Sequence, residues 1–291
     1  MMRPDVVFLS LARNCAATIP SFLGLLAALR AEGLTVVAFV GENGSRDGTR
    51  ELLQREDANG RIVLVPTPFM AEEPDRLKRM ALGRERLKNE FEAAGLEPRF
   101  VCVLDIDNVI ASPPSIAVLL AAAAKLERPG IFGVSATSRP HYYDLLAFQD
   151  DLRSFETLLE ELAGSRSNIF AYYRFFCSRI YPHQQALTDD REIECASTFN
   201  GLCLYRTDAY RLGSYLQPGP SICEHLVFNR RLAERTGARM LIDPGLILNT
   251  PIDHSQQSFL PFAWRRLRKL VALSLLQTHL SLKTLGSSSA G

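Results

Sequence analysis

A surplus of either charge, closely spaced cysteines and long hydrophobic runs are all missing from this 291-residue chain, and each absence closes off a class of protein. Thirty-three Lys and Arg stand against 32 Asp and Glu, a net charge of +1. No excess of cations is left to neutralise a run of phosphates, so no general affinity for nucleic acid is expected. The six cysteines (Cys15, Cys102, Cys177, Cys195, Cys203, Cys223) are scattered and include no C-x-x-C pair. That argues against a structural zinc and for reduced thiols in a cytoplasmic setting. No segment approaches the roughly 20 apolar residues that cross a bilayer, and the longest candidate, near the C-terminus, is interrupted by His279 and Lys283. The first apolar run, Val6 to Ala12, is ended by Arg13 without a small-residue cleavage site and reads as a buried strand. Internal repeats and low-complexity linkers are absent too, apart from a short GSSSAG end at 286–291.

What is present is alternation. Apolar runs at 6–12, 35–41, 61–65 and 100–104 are separated by helical patterns at about 20–32, after GSRDGT, and at about 74–94. Strand and helix alternating in this way predict a mostly parallel sheet with helices on both faces, an α/β class. Ligands of such sheets bind beyond the carboxyl ends of the strands, where LARN (11–14), GENGS (41–45) and DIDN (105–108) all fall. From about Gly130 the pattern changes to one further strand, IFGVSA, and then an aromatic-rich stretch of mixed short elements.

The fourth run ends on two carboxylates, Asp105 and Asp107, one residue apart. Neighbouring carboxylates repel, so the pair needs an opposing cation, a shared proton or a task at the surface. Three readings compete. The first is a turn or cap ahead of Pro113 and Pro114. The second is a haloacid-dehalogenase-type phosphohydrolase with Asp105 as covalent nucleophile, although that motif normally lies on the first strand of its fold. The third is a hard-cation site for Mg²⁺ or Mn²⁺, whose shell is completed by substrate phosphates.

Here the sequence resembles glycosyltransferases of the GT-A fold, nucleotide-sugar-dependent enzymes with a D-x-D motif at the end of a central strand. LSLARN resembles their first strand and nucleotide loop, ENGSRDGTRELL the second-strand motif, and RLKRMALGRERL the basic helix before the D-x-D strand. HYYDLLAFQDD, STFNGLCLYR and CEHLVFNRRLAERTGARMLIDPGLIL resemble motifs of the fungal capsule-associated (cryptococcal-type) mannosyltransferases and their bacterial relatives. One departure is Leu87 after Arg86, where that family tends to have Asn. The resemblance covers roughly residues 5–254 and implies a GT-A-type (Rossmann-like) sheet over 1–254. Residues 255–291 are left as an amphipathic helical segment and flexible tail.

By resemblance, Ala12, Arg13 and Asn14 touch the nucleotide, with Glu42 and Asn43 at the end of the second strand. A carboxylate only accepts hydrogen bonds, so Glu42 suits guanine's N1–H and N2–H₂ better than the single N3–H of uracil. GDP-sugars are therefore favoured over UDP-sugars. Asp47 reads as the cap of the next helix. Arg79 and Arg86 lie seven apart on one helical stripe, and Arg79 is the expected diphosphate contact. Asn200 and Gly201 are expected on a strand lining the sugar site. Glu224 is expected to face the acceptor as general base, with His225 in support. Asp105, Asp107 and His254 are the expected metal ligands, Asp253 being the alternative to His254. The implied activity is transfer of a hexose, mannose from GDP-mannose, to a glycan or lipid-linked glycan in surface polysaccharide synthesis. A non-catalytic nucleotide-sugar-binding protein is the reading of another class.

The stretch 259–280 has its own logic. Drawn as a helix, Leu260, Trp264, Leu267, Val271 and Leu275 form one apolar stripe, with Arg265, Arg266, Arg268 and Lys269 off it. Such a helix either docks on the domain through that stripe or lies in a membrane interface, peripheral on the inner face of the membrane.

Overall fold

Continuous runs of Val, Phe and Leu have no polar face to offer water, so strands built from them must be covered on both sides. Parallel pairing of such strands requires crossover connections, which the intervening helical segments supply. The computed structural model describes residues 3–152, 155–166, 168–251 and 256–268. Its first half is β1 (Val6–Ala12), α1 (Ile19–Ala31), β2 (Val36–Glu42), α2 (Thr49–Ala58), β3 (Val63–Pro66), α3 (Arg76–Ala93) and β4 (Phe100–Leu104). There follow α4 (Ile116–Ala124), β5 (Ile131–Arg139), α5 (Phe155–Ser165), α6 (Ile169–Phe175), α7 (Tyr181–Ala186), β6 (Ile193–Cys195), β7 (Leu202–Arg206), α8 (Thr207–Arg211), α9 (Glu224–Thr236) and β8 (Arg239–Asn249).

Among the described residues, eight strands form one sheet in the order β3-β2-β1-β4-β7-β5-β8-β6. β7 runs against both its neighbours and β6 against β8, while the other strands share one direction. This is the mostly parallel, helix-flanked α/β class expected from the alternation. Val6, Val7 and Phe8 on β1 and Val101, Cys102, Val103 and Leu104 on β4 are fully buried, as central strands must be.

One strand is shorter than expected. Within STFNGLCLYR only Leu202–Arg206 pairs in the sheet, and residues 197–201 approach it as a loop. Gly201, at φ +84°, makes the turn into β7 in a backbone region that L-residues disfavour.

The described residues divide into two compact units, one of residues up to 157 with 184–251, the other of 158–183 with 256–268. The first holds the sheet. In the second, α6 and its continuation pack aromatic against aromatic with the helical segment 259–268. The Phe262 ring lies 5.1 Å from each of Tyr173 and Phe176 and 5.6 Å from Tyr172.

Candidate functional site

The site starts where strands stop. Ala12 at the end of β1 pairs with Glu42 at the end of β2, and Asn43 N–H donates to the Ala12 carbonyl at 3.1 Å. The loop after β1 is laced to the loop after β2. Asn14, at φ +52°, donates through its N–H to Ser45 Oγ (3.0 Å), and its Oδ1 accepts from Arg46 N–H (2.8 Å). Asp47 accepts from Ala16 N–H and also from Thr49 N–H, beside the Gly48 cap of α2, so it joins the two loops as well as the helix start. Ala12, Arg13, Asn14, Glu42 and Asn43 thus share one rim, with Arg13 exposed on it.

β4 delivers its two carboxylates beside this rim. Asp105 N–H donates to the Gly201 carbonyl at 2.8 Å, and Thr18 Oγ1 at the start of α1 donates to the Ile106 carbonyl at 2.9 Å. Asp107 is exposed, and its Oδ1 accepts from Val109 N–H at 3.0 Å, capping a short 3₁₀ turn.

The opposing cation is Arg84. It reaches the site because α3 lies close against β1 and β2: a Cβ on Gly83 would come within 2.6 Å of Met70 Sδ and 3.0 Å of Leu11 Cδ1, and one on Gly41 within 2.7 Å of Leu11 Cδ2. Arg84 Nη2 sits 2.5 Å from Asp105 Oδ1 and its Nε 3.6 Å from Glu224 Oε1, while the guanidinium lies 5.3 Å from the centre of the Phe199 ring. Burial alone would lower the Arg84 pKa, but Asp105 and Glu224 outweigh it, so the group stays charged. Its Nε and Nη1 have no hydrogen-bond partner among the described residues.

Arg84 therefore pairs directly with Asp105, while Asp107 forms no ion pair among the described residues. Desolvation by surrounding protein and then the Asp105 charge push the Asp107 carboxyl up to about 6, against the Val109 hydrogen bond and Arg84. A divalent cation would relieve that repulsion, and two carboxylates with open oxygens at a strand end are a donor set suited to Mg²⁺ or Mn²⁺. Among the described residues no group of three or more His, Cys, Asp or Glu is placed to hold a metal ion. His254 and Asp253 lie outside the described residues. The residues present fit a metal whose remaining ligands are water and substrate phosphates.

Two more acids complete the cluster. Glu224 opens α9 with 6% exposure, and burial raises its pKa while Arg84 opposes the rise. Asp144 is pushed up to about 7 by burial and then by Glu224 and Asp105, with Arg76 opposing. Sequence reasoning did not single out Asp144. It lies in HYYDLLAFQDD, but nothing in that run says which residue turns toward the strand ends. Asn200 does the turning: its Oδ1 accepts from Tyr143 N–H (3.1 Å) and Asp144 N–H (3.3 Å). A Cβ on the adjacent Gly201 would meet Tyr143 Oη at 2.8 Å. His225 stacks on Phe199 with ring centroids 3.5 Å apart, and burial holds its pKa well below the ordinary value. It is a neutral, packed ring whose Nε2 lies 3.6 Å from Glu224 Oε1.

Two residues expected at the nucleotide are engaged within the chain. Glu42 is 7% exposed and its carboxylate is already engaged by Ser45 N–H and by Arg50 Nε at 2.8 Å. Burial would raise its pKa, but the Ser45 hydrogen bonds and Arg50 carry it below the usual range. A base that donates to this carboxylate has to share it with Ser45 and Arg50. Arg79 donates to the Glu73 carbonyl at 3.0 Å, and Arg86 pairs with Glu90 along the helix. The seven-residue stripe of α3 is real, but the arginine facing the carboxylates is Arg84, because α3 turns the Gly83–Arg84 side toward the sheet.

No protein-family model and no curated protein matches the chain. Solved structures resemble it at low similarity. A mannosyltransferase from Pyrobaculum calidifontis in complex with GDP-Man and Mn²⁺ is 16% identical over 93% of this chain, with a TM-score of 0.48, and the chain spans 63% of its length. Glucosyl-3-phosphoglycerate synthase from Mycobacterium tuberculosis, in complex with Mn²⁺, UDP and phosphoglyceric acid, is 16% identical over 88% of this chain and 72% of its own, with a TM-score of 0.45. Mannosyl-3-phosphoglycerate synthase from Rubrobacter xylanophilus is 14% identical over 95% and 75%, with a TM-score of 0.44. At these levels the likenesses decide neither activity nor substrate.

Proposed function

We propose that the chain is a divalent-metal-dependent glycosyltransferase of the GT-A type, taking a hexose from a nucleoside diphosphate sugar. The observation that carries this reading is the unequal treatment of the two strand-end carboxylates, Asp105 paired directly with Arg84 and Asp107 in no ion pair among the described residues. Asp107 and Asp105 would hold Mn²⁺ or Mg²⁺, with His254 as a further ligand. The bound metal would neutralise the departing diphosphate as Lewis acid and template. Ala12, Arg13, Asn14 and Asn43 form the nucleotide rim. Asn200 and Gly201 shape the sugar side by holding Tyr143 and Asp144 in place. Glu224 takes the acceptor proton, and the burial that raises its pKa makes it a stronger base than a solvated carboxylate, with Asp144 in the same acidic cluster.

On the sequence resemblance, mannose from GDP-mannose is the favoured donor. The acceptor is a glycan or lipid-linked glycan of surface polysaccharide synthesis, met in the cytoplasm. The occupied carboxylate of Glu42 removes one argument for guanine over uracil, so the preference rests on the resemblance alone. The phosphohydrolase reading is disfavoured because Asp105, its nucleophile, is tied to Arg84 and follows the fourth strand rather than the first.

The test is thermal unfolding with a panel of nucleotide sugars, with and without Mn²⁺. A donor at 100 times its Kd should stabilise the protein by about 2.7 kcal/mol, and only when Mn²⁺ is present. Failure of every nucleotide sugar to stabilise the Mn²⁺-treated protein refutes the reading, and a phospho-aspartate trapped on Asp105 establishes the hydrolase instead.

A further inference from the structure

The second unit carries a surface that the site on the sheet does not use. Its sequence, 158–183 with 256–291, holds eight Lys and Arg against Glu160 and Glu161, a net of +6 in a chain whose total is +1. No acidic residue follows Asp253. Positive charge is therefore concentrated here while the rest of the chain is net acidic.

The helical segment 259–268 is anchored by a face the sequence pattern did not suggest. Phe262, 1% exposed, is packed among Tyr172, Tyr173 and Phe176, and Phe259 stacks on Phe170 at 4.9 Å. Of the apolar stripe read from the sequence, the three described members are exposed: Leu260 is 77% exposed, Trp264 62% and Leu267 52%, while Val271 and Leu275 lie outside the described residues. Together with Ile169 and Arg266 these residues line a shallow apolar cleft, and an adjoining hollow on α6 is formed by Phe170, Phe175 and Arg174. The described part of this helix therefore has two apolar faces, one packed on the aromatic cluster and one open.

We propose that this open face docks on an anionic lipid surface. Apolar side chains standing in water gain free energy on entering the headgroup boundary, and Trp beside Arg is suited to that depth, its ring apolar and its N–H able to stay wet. The Arg266 guanidinium lies 3.9 Å from the centre of the Phe262 ring, so one cation is held rigidly beside the open face, where it can meet anionic headgroups. Charge separates this occupant from the alternatives. The chain's own residues 269–291 contain Lys269 and Lys283 and no acid, so laying them on this face adds like charge. A second copy brings the same positive surface. Anionic headgroups oppose it. The proposal does not depend on the glycosyltransferase reading.

Trp264 is the only tryptophan, so its fluorescence reports this face alone. The full chain is mixed at low salt with vesicles of equimolar phosphatidylglycerol and phosphatidylcholine, and separately with pure phosphatidylcholine. Expected are a blue shift of Trp264 emission and quenching by acyl-brominated lipid. About tenfold more protein should sediment with the anionic vesicles than with the neutral ones, and high salt should weaken that difference. The double variant Leu260→Ser, Leu267→Ser should lose sedimentation while keeping its circular dichroism. Folded wild-type protein that neither shifts nor sediments with anionic vesicles overturns the proposal. So does Trp264 emission already blue and shielded from acrylamide in lipid-free protein: if independent of concentration it places the chain's own tail on the face, and if concentration-dependent a second copy.

Discussion

Arg84 and Asp105, 21 positions apart in sequence, meet at 2.5 Å between Nη2 and Oδ1, and the same guanidinium places its Nε 3.6 Å from Glu224. One nearly buried cation thus stands between an acid at the end of β4 and an acid at the start of α9. Removing one partner of a buried pair leaves the other charge uncompensated, so Arg84→Met should cost on the order of 3 kcal/mol at neutral pH. The loss should shrink near pH 5, since burial raises the Glu224 pKa and removing Arg84 removes what opposes that rise. Urea unfolding at both pH values measures this, and equal stability of variant and wild type at neutral pH contradicts the central role given to Arg84.

Asp107→Asn separates metal holding from folding. The side chain is exposed and repelled by Asp105, so its amide should leave the melting temperature unchanged or slightly higher in metal-free buffer. Mn²⁺-dependent donor binding should be lost. Calorimetry showing undiminished Mn²⁺-dependent binding in this variant would remove Asp107 from the metal site.

The carboxyl of Asp144, moved from an ordinary 3.8 to about 7, sets a pH dependence in metal-free protein. Between the unfolded and folded values the native chain holds a proton that the unfolded chain has released, so this group makes stability fall as pH rises from about 4 to 7. His225, buried and neutral, acts in the opposite sense below its ordinary value of 6.5. The informative quantity is therefore the stability of wild type minus that of Asp144→Asn, which should decline between pH 5 and pH 8. A flat difference would mean that Asp144 ionises normally.

Glu224→Gln tests the acceptor side. Its donor affinity should stay close to that of wild type, while turnover falls by roughly 10²-fold or more, the loss expected for an acid or base group. Unchanged turnover would shift attention to Asp144, which has the chemistry and the position to serve.

Asn200→Ala would remove the acceptor of the Tyr143 and Asp144 amides and leave two N–H groups short of a partner. A cost of about 1–3 kcal/mol is expected. If unfolding experiments find no cost, water replaces the amide and the segment is held by other contacts.

The alternation of apolar runs and helical segments determined the α/β class and the positions of β1, β2 and β4, because a strand with no polar face has to be central. It also determined that Ala12 to Asn14, Glu42, Asn43, Asp105 and Asp107 come together, since successive parallel strands end at the same edge of a sheet. Spacing along α3 offered several arginines of equal claim. Arg84 was selected by the close packing that Gly83 and Gly41 permit, a property of two surfaces in contact. Asp144 entered the site through Asn200, across 56 residues, by a pair of backbone hydrogen bonds with no periodic signature. The pairing of Glu42 with Arg50 and the outward face of Leu260, Trp264 and Leu267 were likewise decided in three dimensions. Periodicity shows that a helix has an apolar stripe, but which side is buried depends on the partner, and here the aromatic cluster around Phe262 took the other one.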